Sequence, residues 1–144
     1  MAKVAVVYWS GTGNTQKMAE ALVEGAQGAG ADVELFEVDS FTVDQIDSYD
    51  GLALGCPSMG AEELEEGSYE PFFADAVASG KLSGKPVVLF GSWGWGAGAW
   101  METWSERTKE AGANLVDTFI VENEPDDEGL EGSKNLGAAL VGAC

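Results

Sequence analysis

The sequence predicts an α/β fold, a parallel sheet with helices on both faces, and three observations support it. Apolar, β-branched runs recur at residues 3 to 9, 51 to 56, 86 to 92 and 114 to 121. Three of the four lack polar alternation, as expected of strands covered on both sides. Segments with helical spacing lie between the runs, so strand and helix alternate along the chain, and right-handed βαβ crossovers follow.

Taken in order, residues 3 to 9 (KVAVVYW) read as the first strand. Met18, Ala21, Leu22, Gly25 and Ala26 then fall on one helix face, with Asn14 or a neighbouring Thr as N-cap and Gly28 or Gly30 as the stop. Residues 32 to 38 (DVELFEV) alternate in their first half and suit an edge strand. The third strand, 51 to 56, ends on Cys56, whose apolar setting is that of a buried thiol. A short helix over 71 to 79 leads to the fourth strand, 86 to 92. On the helix that follows, 98 to 111, Trp100 and Trp104 stand four apart and read as core. The fifth strand is 114 to 121, and Leu130, Gly137, Leu140 and Val141 pattern a last helix. No repeat or linker divides the chain, so one domain over residues 1 to 144 is expected. In open sheets of this kind ligands sit beyond the carboxyl ends of the strands. The loops at 10 to 15, 57 to 62, 92 to 98 and 122 to 126 are therefore the places for a site.

Composition narrows the chemistry. The chain has 144 residues, 45% of them hydrophobic, enough for a real core. Against 25 Asp plus Glu stand 7 Lys plus Arg, a formal net charge of −18. Such a field repels phosphate backbones and anionic headgroups, so neither nucleic acid nor a membrane surface is expected as a partner, and a basic protein is. There is no histidine, which removes imidazole bases and ligands. Two cysteines, Cys56 and Cys144, make neither a disulfide framework nor a Cys-only metal site, so no metal is expected. With no signal or membrane-spanning pattern, a cytoplasmic protein is expected.

The first loop reads Ser10, Gly11, Thr12, Gly13, Asn14, Thr15, directly after a strand and before a helix. Its glycines let backbone N–H groups approach a ligand, its polar side chains add donors, and the helix N-terminus adds partial positive charge. Together these make an anion pocket. It lacks the lysine of a Walker loop, and Gln16 occupies the third glycine position of the dinucleotide fingerprint. Lys17 is the nearest cation, so a phosphate held here stays largely unneutralised.

Two further loops, Pro57-Ser58-Met59-Gly60-Ala61-Glu62 and Ser92-Trp93-Gly94-Trp95-Gly96-Ala97-Gly98, set large apolar side chains among glycines. That is poor core design, whereas an indole face and a polarisable thioether suit a planar ligand.

On these residues the chain resembles a short-chain flavodoxin. SGTGNT follows the first strand, Met-Gly-x-Glu the third, GSWGWGxGxW the fourth and NEPD the fifth, in order and spacing from end to end. The resemblance implies a doubly wound five-stranded parallel sheet of order 2-1-3-4-5, bound FMN, and one-electron transfer between redox proteins with basic docking surfaces, by a monomer that is not an enzyme. By position it implies that Ser10, Gly11, Thr12, Gly13, Asn14 and Thr15 bind the FMN phosphate, with Ser58 able to replace a serine lost at Pro57. Trp95 would stack on the outer face of the ring, Met59 would cover the inner face, and Glu62 would accept from the ring N3–H. The backbone around Gly60, Ala61, Trp93, Gly94 and Gly96 would meet the ring edge, and Ser92 and Asn123 would reach the ribityl chain. The chain departs from the family pattern at Pro57, Ala61, Trp93 and Ala97.

Met59, Gly60, Glu62 and Trp95 are the residues expected to tune the potentials. The Gly60 carbonyl, freed by a peptide flip that glycine tolerates, would accept from the protonated ring N5 at the first electron. For the second, at the semiquinone/hydroquinone couple, Glu62, Glu63, Glu65, Glu66 and Glu70 would each oppose added negative charge by roughly 1 kcal/mol at about 10 Å, making a low-potential carrier. Two other readings compete. An FMN-dependent reductase of a small substrate such as a quinone needs a substrate pocket beside the ring. A non-redox signalling or binding domain, such as a receiver, needs an Asp at the end of the third strand, where Cys56 stands.

Overall fold

The computed structural model describes residues 2–11, 13–58, 64–94 and 98–144. Five strands, Lys3–Tyr8 (β1), Asp32–Glu37 (β2), Gly51–Gly55 (β3), Pro86–Trp93 (β4) and Asn114–Glu122 (β5), form one parallel sheet in the order β2-β1-β3-β4-β5. The helices are Asn14–Gly28 (α1), Tyr69–Ser79 (α2), Ala99–Glu110 (α3) and Asp127–Ala143 (α4), with two 3₁₀ segments, Val38–Ser40 and Val43–Ser48, between β2 and β3. Strand order reverses between β1 and β3, and the chain leaves both strands at the same edge of the sheet, where the Trp9 N–H bonds the Gly55 carbonyl.

The period of two along each strand divides the core into two layers. Val4, Val6 and Tyr8 of β1, Ala53 of β3, and Val88 and Phe90 of β4 pack under α1 and α4 with Met18, Leu22, Leu136 and Leu140. On the other face Ala5, Val7, Leu52, Leu54, Val87 and Leu89 lie under α2 and α3 with Tyr69, Phe73, Trp100 and Trp104. Trp100 and Trp104, as their spacing predicts, are core residues, each 1% exposed. The ring of Trp104 meets Tyr69 and Phe73 edge-on at 5.6 and 6.0 Å.

Both edges follow from sequence detail. β2 is an edge strand, as its alternation predicts, and β5 is the other. A bulge at Val116 shifts the β5 register, so Val87 pairs with Leu115 and Val88 with Asp117. Because an extra residue reverses which side chains face which layer, Leu115 packs on the α2–α3 side and Phe119 on the α1–α4 side, despite their even spacing.

The start of α1 corrects one expectation. The N-cap position falls on Gly13, in the left-handed region at φ 94°, and Asn14 and Thr15 lie inside the helix. The hydroxyl of Ser10, farther back in the loop, accepts from the Gly13 amide at 3.0 Å and the Gln16 amide at 3.4 Å instead. A glycine at this φ turns the chain without the Cβ penalty, and Ser10 satisfies first-turn donors from outside the helix. At the other end α1 runs to Gly28, with Gly30 at φ 95° beyond it.

Candidate functional site

The loop between β1 and α1 is a collar of donors. The first turn of α1 carries no acidic residue, in a chain with 25 of them. Gly11 lies so close to the Trp9 ring that a Cβ there would sit 3.0 Å from the indole, so the loop backbone rests on an aromatic plate. Thr15 is 1% exposed and Ser92, at the end of β4, is 5% exposed. Their hydroxyls stand 3.3 Å apart, and the Ser92 amide donates to the Thr15 hydroxyl at 3.4 Å. Amides and hydroxyls at a helix N-terminus, with no carboxylate on the first turn, are the donor chemistry a phosphate requires. Lys17, the nearest cation in sequence, is paired with Glu124 at 2.6 Å.

Backbone bonds tie the other loops to this collar. The Cys56 amide bonds the Phe90 carbonyl at 3.1 Å and the Ser58 amide bonds the Ser92 carbonyl at 3.0 Å, carrying the β3–β4 pairing past the strand end. Trp93 is half-buried against the α2–α3 layer. The Asn123 amide donates to the Trp93 carbonyl at 2.7 Å, and a Cβ on Gly94 would lie 3.6 Å from the Asn123 side-chain oxygen. Asn123, at φ 58°, is the one non-glycine residue at positive φ among those described, a position asparagine tolerates better than most. The structure thus gathers Ser10, Gly11, Gly13, Asn14, Thr15, Ser58, Ser92, Trp93, Gly94 and Asn123 around the carboxyl ends of β1, β3, β4 and β5. The remaining predicted site residues, Thr12, Met59, Gly60, Ala61, Glu62, Trp95 and Gly96, lie outside the described residues.

Comparison with known proteins gives the family. The family model for flavodoxin matches residues 6–137. The flavodoxin of Megasphaera elsdenii is 48% identical over 97% of this chain and 99% of its own, and that of Clostridium beijerinckii 49% identical over 85% and 88%. The chain belongs to the flavodoxin family. The solution structure of two-electron reduced Megasphaera elsdenii flavodoxin superposes with a TM-score of 0.88, at 47% identity over 96% of this chain and 98% of that one. As a flavodoxin the chain binds FMN and carries electrons between redox proteins, and it is an electron-transfer protein, not an enzyme. The donor set around Ser10–Thr15 fits the phosphate of that cofactor. No helix among the described residues is long and apolar enough to cross a membrane.

Several residues around these loops escape a sequence reading. Trp9 gives no signal beyond strand-end hydrophobicity. Glu65 and Glu70, counted above among acids opposing a reduced ring, are engaged elsewhere. The Glu65 carboxylate accepts from the amides of Gly67, Ser68 and Tyr69, and Glu70 holds Arg107 through two bonds of 2.7 Å. Partial burial pushes the Glu65 carboxyl up, but the three amide bonds outweigh it and leave it below the usual range. Bonding to Glu70 raises the Arg107 guanidinium further, and its face lies over the Phe73 ring at 4.8 Å. Cys56, beneath the site, is pushed up to about 12, chiefly by burial.

Proposed function

We propose that this flavodoxin is a low-potential one-electron carrier, one domain over residues 1 to 144, working as a cytoplasmic monomer. In this reading the 10–15 loop holds the FMN phosphate through Ser10, Thr12, Asn14, Thr15 and the backbone of Gly11 and Gly13. Ser58 adds a donor beside that loop, while Ser92 and Asn123 serve the ribityl chain. Met59 and Trp95 enclose the ring, Glu62 accepts from its N–H, and the backbone of Gly60, Ala61, Trp93, Gly94 and Gly96 lines its edge. When bound, FMN supplies reversible one-electron chemistry; the chain holds it, excludes water from its faces and sets the field around it. The observation that carries the reading is the convergence of four loops on Ser92 and Trp93: Thr15 and Ser58 bond Ser92, and Asn123 bonds Trp93. A cytoplasmic setting is supported by the two cysteines, both free thiols.

The field is strongly one-sided. Between Met18 and Gly80 there are acidic residues and no basic one. Arg107 offsets the charge of Glu70, while Glu62, Glu63, Glu65 and Glu66 keep theirs, which both lowers the potential and offers a rim to basic redox partners. The purified protein should be yellow, with one FMN per chain, and Ser10→Ala should weaken FMN binding about tenfold by removing a hydroxyl donor from the collar. Electron transfer to a basic redox protein should slow as salt rises. A colourless protein that does not quench FMN fluorescence on titration, or a transfer rate indifferent to salt, overturns the respective part.

A further inference from the structure

Where the chain returns to the fold after the ring-side loop, a set of bonds meets on one residue. One Glu65 carboxylate oxygen accepts from the amides of Ser68 (2.7 Å) and Tyr69 (3.0 Å), and the other from Gly67 (2.7 Å). The Glu65 carbonyl accepts from the Glu70 amide at 2.8 Å, and its own amide points to the Cys56 sulfur at 3.4 Å. Ser68, the N-cap of α2, makes no side-chain cap bond, so Glu65 supplies the capping its neighbour leaves out. Cys56 stands where the same loop departs, bonded to Phe90, so the two ends of residues 57–64 are held against each other, with Leu64 buried. Tyr69 is fully buried and its hydroxyl donates to the Val7 carbonyl at 2.8 Å, while Glu70 grips Arg107 from α3.

We infer that Glu65 is a positioning residue for the FMN ring: through its bonds to three amides it fixes where the segment carrying residues 59 to 62 re-enters the fold. The inference rests on the assignment of those residues to the ring, made under the preceding heading. Asp75, exposed on α2, serves as the comparison, an acid of the same charge without that role.

Riboflavin and FMN are titrated into the apoprotein of the wild type, Glu65→Ala, Glu65→Gln and Asp75→Asn, and the apoprotein melting of each is recorded. Glu65→Ala should weaken riboflavin and FMN by the same factor, about tenfold, because the ring side is disturbed and the phosphate collar is not. Glu65→Gln should lose less, since an amide oxygen still accepts from Ser68 and Tyr69. Asp75→Asn should leave both affinities in place. Equal losses in Glu65→Gln and Glu65→Ala would make the effect one of charge and overturn the inference. So would a lowered melting midpoint with unchanged riboflavin affinity, which marks a purely structural cap. Should Glu65→Ala not fold, Glu65→Gln against Asp75→Asn decides alone. A wild type that binds neither flavin removes the site assignment itself, whereas a wild type that binds both, with Glu65 variants unaffected, removes only the positioning role.

Discussion

Cys56 is 0% exposed and Cys144 lies exposed at the chain end, yet both are free thiols. The two differ in solvent access and in how far each sulfur can ionise. In the folded chain the Cys56 thiol titrates near 12, against an ordinary value of 9.0. Its folded value is raised, so the unfolded chain ionises first, and this residue erodes stability as pH climbs from about 9 to about 12, by at most about 1.4 kcal/mol per pH unit. Native protein treated with iodoacetamide should therefore be labelled at Cys144 and spared at Cys56, and Cys56→Ala should flatten the alkaline loss of stability measured by urea unfolding. Rapid double labelling of the native chain would show that the β3–β4 end opens readily. The burial of Cys56, Trp100 and Trp104 was legible in sequence because each sits in an apolar run or at helical spacing. Glu65 was not: it stands in a row of acids that reads as a solvated face, and its partners are backbone amides, which carry no side-chain signature. Asn14 misled for a related reason, since cap preference is local and Ser10 reaches the same amides from outside the helix.

At the scale of elements, the α1–α4 contact is set by glycine. A Cβ on Gly137 would stand 2.3 Å from the Leu22 carbonyl oxygen, and one on Gly25 2.0 Å from that of Lys134, so the two backbones touch. Gly142, in the same helix, has nothing within 4 Å. Alanine gains up to about 1 kcal/mol over glycine in a helix interior, and overpacking against immovable backbone costs about 1–3 kcal/mol. Gly142→Ala should thus leave stability unchanged or raise it by a few tenths of a kcal/mol. Gly137→Ala should lower it by about 1–2 kcal/mol once the clash exceeds the propensity gain. Chemical denaturation of the pair checks both signs at once. The β5 edge carries a second device. Val116 forms its bulge, and the Asp117 carboxylate accepts from the Thr118 amide at 2.8 Å, occupying a donor on a strand that has a neighbour on one side only. Asp117→Val should promote self-association, visible as a concentration-dependent elution shift. Four strands were legible from their apolar runs and β2 from its alternation, but the bulge was not, because an extra residue in a half-buried edge strand leaves the hydrophobic pattern almost unchanged.

For the whole molecule the deciding quantity is the net charge of −18. Most of the few cations are already committed: Lys3 to Glu34, Lys17 to Glu124, Lys81 to Asp47, Arg107 to Glu70 and Lys134 to Glu24. Only the Arg107 pair combines two-point geometry with partial burial, and exposed pairs contribute about 0–1 kcal/mol each. Repulsion among the remaining carboxylates acts over the whole surface and is weakened once the screening length falls from about 30 Å at 0.01 M salt to a few ångströms near 1 M. The two terms have opposite salt dependence: added salt costs little in surface pairs and relieves much repulsion. The thermal midpoint should therefore climb steadily between about 10 mM and about 0.5 M NaCl. Arg107→Gln should melt lower at every salt concentration with the same slope, because a partly buried pair is screened less than the surface. A midpoint that falls with salt in the wild type would mean that the ion pairs, not the surplus of acids, govern the stability of this fold.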